Sequence, residues 1–140
     1  WKNSEQDLKD SLKILPDQPY VLNYLAYTWI DKGMHLDKSL KMLTKAVDLK
    51  PNDGYIIDSL GWAYYLKNNY KEAEKYLQRA VELMPLDPII NDHYADSLWM
   101  QNKNIQARYI WNYVYKLDDL DQKLKDKISK KILFGINKKL

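Results

Sequence analysis

The stretch D-S-L-G-W-A-Y-Y, residues 58–65, returns 34 residues later in altered form as D-H-Y-A-D-S-L-W, residues 92–99. The same offset pairs residues of similar size or character: Leu60 with Tyr94, Gly61 with Ala95, Ala73 with Ala107 and Leu77 with Trp111. A third copy lies upstream, where Leu25, Ala26 and Trp29 precede Leu60, Gly61 and Tyr64 by 35 residues. An internal period of this length predicts a solenoid, because each unit buries its apolar face only by stacking on its neighbours.

Composition agrees with a helical protein. The 140 residues are 46% hydrophobic and 29% charged, as in ordinary globular chains. Only four Gly and five Pro interrupt the sequence, and most of them stand at expected breaks. Cysteine is absent, which excludes disulfides and thiolate metal sites within this chain. No stretch approaches the roughly 18 apolar residues that a membrane span requires.

The spacing of apolar residues predicts where the helices lie. Ile57, Leu60, Gly61 and Tyr64 fall at i, i+3, i+4 and i+7, which is one stripe of an α-helix, and Asp53 precedes them as a capping residue. Pro85 ends the next helix because proline cannot continue the hydrogen-bond ladder. The same spacing predicts helices over residues 4–14, 18–31, 36–49, 53–66, 70–83, 88–101 and 104–117.

These helices group into units of a single domain. We predict a half repeat at 4–16, full repeats at 19–53, 54–87 and 88–121, and a basic capping helix at 122–140. Leu8, Leu12 and Leu15 form the expected inner face of the half repeat. The final stretch has lysines on one side and an apolar stripe on the other. The residues of the stripe are Leu117, Leu120, Leu124, Ile128, Ile132 and Ile136. Because the chain opens with Trp1 in the middle of the pattern, it is expected to be part of a longer protein.

The second unit resembles the tetratricopeptide repeat, a helix–turn–helix unit of about 34 residues. Its signature L-G-x-x-Y…A-x-x-x-L-x-x-A…P is present as Leu60, Gly61, Tyr64, Ala73, Leu77, Ala80 and Pro85. The first unit has Leu25, Ala26, Trp29, Leu43, Ala46 and Pro51, with Ser39 where alanine is usual. The third departs further, at Asn91, Val114 and Asp119. The resemblance implies an all-α superhelix of paired helices.

Three segments also resemble repeat proteins of bacterial cell envelopes, some of them lipid-anchored: N-Y-L-A-Y-T-W-I-D-K-G, D-G-Y-I-I-D-S-L-G-W-A-Y-Y and I-N-D-H-Y-A-D-S-L-W. This resemblance implies a bacterial envelope or periplasmic location, with the cytoplasm as the alternative. It would make the chain the carboxy-terminal part of a larger repeat array.

The tetratricopeptide resemblance also implies where a partner binds, because the first helix of each unit lines a groove for partner peptides. On these helices we predict that the binding residues are Tyr24, Tyr27, Tyr55, Asp58, Trp62, Tyr65, Asp92, Asp96 and Trp99. Aromatic side chains with few rotamers suit binding hot spots, and the carboxylates favour a partner with basic and apolar residues. The predicted function is therefore a non-catalytic protein-interaction module with an aromatic, acidic groove.

Other chemistries are weighed against this interpretation. Some tetratricopeptide grooves hold a partner's terminal carboxylate with lysine and arginine, but here Asp58, Asp92 and Asp96 would repel it. No phosphate loop, calcium loop or catalytic set of residues is visible, so we predict no cofactor, no metal and no enzyme activity. The lysines of the cap are interpreted as a solvated face rather than a membrane or nucleic-acid site. The alternative function is a structural segment that mediates self-association or assembly of a longer array.

Overall fold

Eight helices make up the described part of the chain. The computed structural model describes residues 1–138, in which the helices follow one another without strands. Their bounds are α1 Lys2–Ile14, α2 Pro19–Asp31, α3 Leu36–Leu49, α4 Gly54–Leu66, α5 Tyr70–Leu83, α6 Pro88–Met100, α7 Asn104–Tyr115 and α8 Gln122–Phe134. The ends agree with the sequence prediction to within about two residues for α1 to α7. The result is an all-α superhelix of stacked helix pairs.

Helix starts are set by capping residues. The Asp53 carboxylate accepts hydrogen bonds from the backbone N–H groups of Tyr55 and Ile56, and thereby begins α4. Asp87 does the same for α6, where Pro88 occupies the first turn. Such caps satisfy donors that have no partner within the helix, and each is worth about 1 kcal/mol. The caps therefore fix the first turn of the two helices that form the centre of the candidate binding surface.

Close approach of α4 and α5 depends on Gly61. A Cβ atom at this position would lie 2.7 Å from Cγ and 2.8 Å from Cδ2 of Leu77. Leu77 is fully buried, as are Leu60 and Ala73. The alternation of a very small residue with a large one is what lets the two helices interdigitate at crystal-like density.

The core is continuous from pair to pair. Leu43 of α3 packs in one cluster with Ala26 of α2 and Leu60 of α4, so one pair is joined to the next. Ile57, Ala80 and Ile90 join α4, α5 and α6 in the same way. Each first helix contacts the first helix of the following pair, α2 with α4 and α4 with α6. These contacts place α2, α4 and α6 side by side along one surface of the molecule.

The capping helix packs as predicted on its apolar side. Ile128 is fully buried against Trp111 and Val114 of α7. The rest of the predicted stripe packs around this cluster: Leu117, Leu120, Leu124, Ile132 and Ile136. The helix ends at Phe134, earlier than the predicted 140, because Gly135 adopts a φ of +68°. Residues 139 and 140 of the predicted cap lie outside the described residues.

The first helix differs from its expected packing. Leu12 packs against Leu22 and Ala46, but α1 has no fully buried residue. Leu15 was predicted to face inward and is instead exposed, as is Ile14. The reason is that α1 ends at Ile14 and Leu15 turns into extended backbone, so its side chain leaves the helical stripe.

Candidate partner-binding surface

Three helices present a common surface that we call the inner surface. It is formed by the faces of α2, α4 and α6 that point away from α3, α5 and α7. At its centre lies a pocket of about 250 Å³. The pocket is lined by Asn23, Tyr24, Tyr27, Tyr55, Asp58, Ser59, Asp87, Ile89 and Ile90. Each of the three helices contributes to it, so the pocket exists only in the stacked array.

The mouth of the pocket is apolar and exposed. Tyr24, Tyr55 and Ile89 retain 58%, 55% and 50% of their accessible surface. Tyr27 is half-buried, and burial, with the nearby Asp58 and Asp31 carboxylates, raises its pKa. Exposed aromatic groups clustered around a concavity are typical of a contact site, whereas single exposed apolar residues are ordinary on protein surfaces.

A buried pair lies next to the pocket. His93 Nδ1 is 2.9 Å from Asp58 Oδ1, and both side chains are almost fully enclosed. Burial alone would lower the pKa of His93, but attraction to Asp58 and their hydrogen bond outweigh it and raise the pKa. The His93 ring stacks on Trp62 with centroids 3.9 Å apart, and Trp62 stacks on Tyr65 at 4.5 Å. Asp58 therefore has an internal cationic partner when His93 is protonated.

The predicted exposure of Asp92 and Asp96 is wrong. Both aspartates are buried, because Lys131 of α8 places its Nζ 2.8 Å from Oδ1 of each. The Trp111 indole N–H also donates to Asp92 Oδ1, at 3.0 Å. Burial, together with repulsion from Asp92, raises the pKa of Asp96 to about 7 against the attraction of Lys131. These carboxylates thus bind Lys131 of the capping helix and do not face an open groove.

Trp99, predicted as an exposed aromatic anchor, is also covered. Only 9% of it is accessible, its indole N–H donates to the Ile136 carbonyl at 2.9 Å, and the Arg108 guanidinium lies over the ring. The segment after α8 therefore covers Trp99. The inner surface is therefore open over α2 and α4 and closed over the last part of α6.

The structure adds two residues that the sequence prediction omitted. Asp87 borders the pocket. The sequence feature that could have indicated it is its position directly before Pro88, where a helix is predicted to begin. The sequence prediction assigns all lysines of the cap, including Lys131, to its solvated side. Lys131 nevertheless follows the buried Ile128 by three residues and so lies on the same helix face. The three-residue spacing between Ile128 and Lys131 could have indicated that this lysine faces inward. The apolar stripe by itself gives no reason to expect a lysine on that face.

Two classes of feature are absent from residues 1–138. None of the helices in this range combines the length and the apolar character needed to cross a bilayer. The same range contains no group of three or more histidine, aspartate or glutamate side chains arranged around a possible metal position.

Comparison with known proteins finds similarity to one family of repeats. The family model described as "Tetratricopeptide repeat" matches residues 55–87, the unit that carries the complete signature. Residues 55–87 are therefore similar to a tetratricopeptide repeat. A TPR repeat-containing protein of Pseudomonas aeruginosa is 36% identical over 73 residues. The match covers 52% of this chain but only 12% of that relative, so the chain corresponds to a small part of its length.

Solved tetratricopeptide structures show the same superhelix. A thermophilic TPR protein of Thermus thermophilus superposes with a TM-score of 0.79 at 17% identity, over 93% of this chain and 72% of its own. The first TPR of Spaghetti, solved with an HSP90 peptide of sequence SRMEEVD, gives 0.68 at 19% identity, over 82% and 93%. At these identities the likeness concerns the fold alone.

The repeat register explains the polar contacts of the inner surface. Asn23, Asp58 and Asp92 occupy equivalent positions of the three sequence units, 35 and 34 residues apart. Asp58 binds His93 on the next first helix, and Asp92 binds Lys131 on α8. The helix α8 thus supplies a polar partner to the third unit, as α6 does to the second. Asn23 differs, because its buried Oδ1 has no hydrogen-bond partner.

Proposed function

We propose that the chain is a non-catalytic protein-interaction module whose pocket between α2, α4 and α6 binds a segment of a partner protein. The fold of stacked tetratricopeptide repeats implies an interaction or scaffold role in general. The observation that supports the specific proposal is the pair of exposed rings, Tyr24 on α2 and Tyr55 on α4, that line one concave pocket. Aromatic residues around a central depression are the usual energetic centre of an interface.

The chemistry of the pocket indicates what the segment carries. Its rim is apolar, and no lysine or arginine lines it. Its acidic lining residues are Asp87 and Asp58, of which Asp58 is buried and bonded to His93. A basic side chain with an aliphatic stem, or an apolar side chain followed by a basic one, complements this arrangement. The predicted contribution of Asp92, Asp96 and Trp99 is not retained in the proposal, because α8 covers them. Trp62 and Tyr65 extend the surface as half-buried neighbours.

The test compares capture of proteins from a cell extract by three forms of the chain. Tyr24→Ala/Tyr55→Ala removes the two rings, whereas Tyr109→Ala removes a ring that is also exposed but lies on α7, away from the pocket. A partner should be retained by the native chain and by Tyr109→Ala and lost by the double variant. The loss should reach about 2 kcal/mol, roughly thirtyfold in Kd. Equal retention by all three forms would place the binding site elsewhere.

The HSP90 peptide SRMEEVD, which a structural neighbour binds, provides a direct negative probe. Its carboxylates would meet Asp58 and Asp87 rather than free lysines, and Lys131 is already paired with two aspartates. We expect no binding by isothermal titration calorimetry. Measurable affinity that disappears in Tyr24→Ala/Tyr55→Ala would show that the pocket accepts acidic segments and would reverse the proposed charge preference.

A structural role is the second candidate, and one observation favours it. Ile14 and Leu15 at the end of α1 are exposed, and Trp1 is partly exposed at its start. Such apolar residues could contact another copy of the chain or further repeats. Sedimentation velocity over a range of concentrations tests this role. Association that Ile14→Ser/Leu15→Ser abolishes would support it, and a monomer at every concentration would contradict self-association.

A further inference from the structure

A second concavity lies on the other side of α2 from the pocket of the inner surface. It is a cleft of about 560 Å³ between α1 and α3, with α2 as its floor. It is lined by Lys9, Leu12, Lys13, Pro16, Leu22, Leu25, Trp29, Lys38, Lys41, Met42 and Lys45. None of these residues belongs to the pocket around Tyr24 and Tyr55, so the two sites use opposite faces of the first repeat.

The walls of this cleft are basic. Lys9 and Lys13 stand one helical turn apart on α1, and Lys38, Lys41 and Lys45 follow at one-turn spacing on α3. Three of them pair with acidic residues at the rim: Lys9 with Glu5 at 2.9 Å, Lys13 with Asp10 at 3.9 Å and Lys45 with Asp17 at 2.7 Å. Lysine in exposed pairs of this kind exchanges partners readily, since such pairs are weak. Lys38 and Lys41 form no ion pair with any residue in the described range.

The floor of the cleft is apolar and centres on Trp29. The Nζ atoms of Lys9 and Lys38 approach from opposite walls, 5.7 and 5.3 Å from the Trp29 ring centroid. Leu12 and Met42 remain partly accessible beside them. The buried Trp29 indole N–H has no hydrogen-bond partner. The polar side chains that line the cleft are five lysines and the Trp29 indole, and no carboxylate is among the lining residues.

We propose that this cleft binds an acidic amphipathic helix of a partner protein. Helices commonly bind in grooves by laying apolar residues at i, i+3, i+4 and i+7 on the floor. Carboxylates that flank such a stripe would lie one turn apart on each side, which matches the spacing of the two lysine rows. A small anion with one carboxylate would engage one row and leave the other unpaired. Charge complementarity on both walls therefore favours a helix.

The probe is a synthetic, fluorescein-labelled helical peptide with a leucine stripe flanked by glutamates. A matched peptide has lysine in place of every glutamate. Fluorescence anisotropy measures binding to the native chain, to Lys38→Glu/Lys41→Glu and to Lys71→Glu/Lys116→Glu. The second variant is a matched control, because it makes the same charge change at exposed lysines outside the cleft. Circular dichroism verifies folding, and Lys38→Gln/Lys41→Gln replaces the first variant if it unfolds.

We expect the native chain and the control to bind the acidic peptide, and Lys38→Glu/Lys41→Glu to bind it at least about tenfold more weakly. The Trp29 indole resonance should shift in a ¹H–¹⁵N spectrum on binding. Tyr24→Ala/Tyr55→Ala should bind like the native chain, so failure of this inference is distinguishable from failure of the inner-surface proposal. Equal affinity for both peptides, or no effect of the lysine changes, would overturn it. So would binding to phosphatidylglycerol vesicles without peptide binding, which would assign the cleft to a membrane surface.

Discussion

Among single residues, Lys131 changes the character of the inner surface most. The sequence prediction counted the carboxylates on α4 and α6 and found no cation among the neighbouring groove positions. Lys131 supplies that cation from α8, and its contacts with Asp92 and Asp96 turn two expected binding groups into buried structural ones. Attraction to the two aspartates raises the pKa of Lys131 despite burial, so it remains charged at neutral pH.

Replacing this lysine tests its structural role. Lys131→Met should lower the free energy of unfolding by about 3 kcal/mol at pH near 8, because it leaves two buried carboxylates without a cation. At pH near 5 the loss should be smaller, since Asp96, with a pKa of about 7, is then protonated. Urea denaturation at the two pH values measures both effects. Lys130→Met, at the exposed neighbouring position, should change neither value, and an equal loss at both pH values would contradict the assigned ion pairs.

Gly61 is a second position where one atom decides the packing. Gly61→Ala should destabilise the chain by about 1–3 kcal/mol, because the new Cβ would overlap Leu77. The double variant Gly61→Ala/Leu77→Ala should lose less than the sum of the two single changes, since the shortened side chain makes room. Thermal denaturation of the four forms gives the coupling. Simple additivity would show that the α4–α5 contact relaxes without cost.

At the scale of elements, the end of α8 is fixed to the stack by backbone carbonyls. The Arg108 Nε–H donates to the Ile132 carbonyl and the Trp99 indole N–H to that of Ile136. Gly135 lies between these contacts with a φ of +68°, and the Trp99 ring occupies the space where its Cβ would be. Glycine at this position is therefore required both by the backbone and by the indole.

Gly135→Ala should consequently release the segment that follows α8 from Trp99. We expect faster amide hydrogen exchange around Ile136 and increased solvent exposure of Trp99, with little change in the exchange of α4 and α5. Asn137→Ala, at an exposed neighbouring position, is the control and should leave exchange unchanged. Unaltered protection in Gly135→Ala would mean that the indole can move aside and that the contact does not hold the segment.

The elements themselves were predictable because their signals are local. The apolar spacing around Leu60, the cap at Asp53 and the stop at Pro85 predict helix positions to within about two residues. The apolar stripe of the cap was also correct, as the burial of Ile128 confirms. The state of Asp92 and Trp99 was not predictable in this way, because the residues that cover them lie 37 to 39 positions further along the chain. Periodicity indicates which face of a helix is apolar, but it does not indicate which later segment closes a polar face.

At the scale of the whole molecule, the inner surface has two parts that differ in exposure and charge. The amino-terminal part keeps exposed rings around a pocket, and the carboxy-terminal part contains a buried set of charges, namely Asp58, His93, Asp92, Asp96 and Lys131. These charges balance only if His93 and Asp96 hold protons or if further cations approach, as Lys127 does at 3.9 Å from Asp92. Proton binding should therefore be coupled to the stability of the stack.

The direction of this coupling follows from the two pKa shifts. Asp96 and His93 both have raised pKa values in the folded chain, so the folded state holds more protons than the unfolded state between about pH 4 and pH 8. The free energy of unfolding should fall as pH rises through this window. For Asp96 the change is at most about 4 kcal/mol, since one pKa unit corresponds to about 1.4 kcal/mol. Below about pH 4 the trend should reverse, as exposed carboxylates whose pKa is lowered, such as Asp37, become protonated.

Calorimetry over this range tests the coupling for the molecule as a whole. The native chain should have its highest Tm near pH 5 and a Tm several degrees lower near pH 8. Asp96→Asn should flatten most of this slope, because asparagine is neutral at every pH and leaves Asp92 to pair with Lys131. Asp126→Asn, which neutralises an exposed carboxylate on α8, should keep the native slope. A native Tm that rises from pH 5 to pH 8 would mean that the buried carboxylates are fully compensated as anions, and that the cap is held by ion pairs alone.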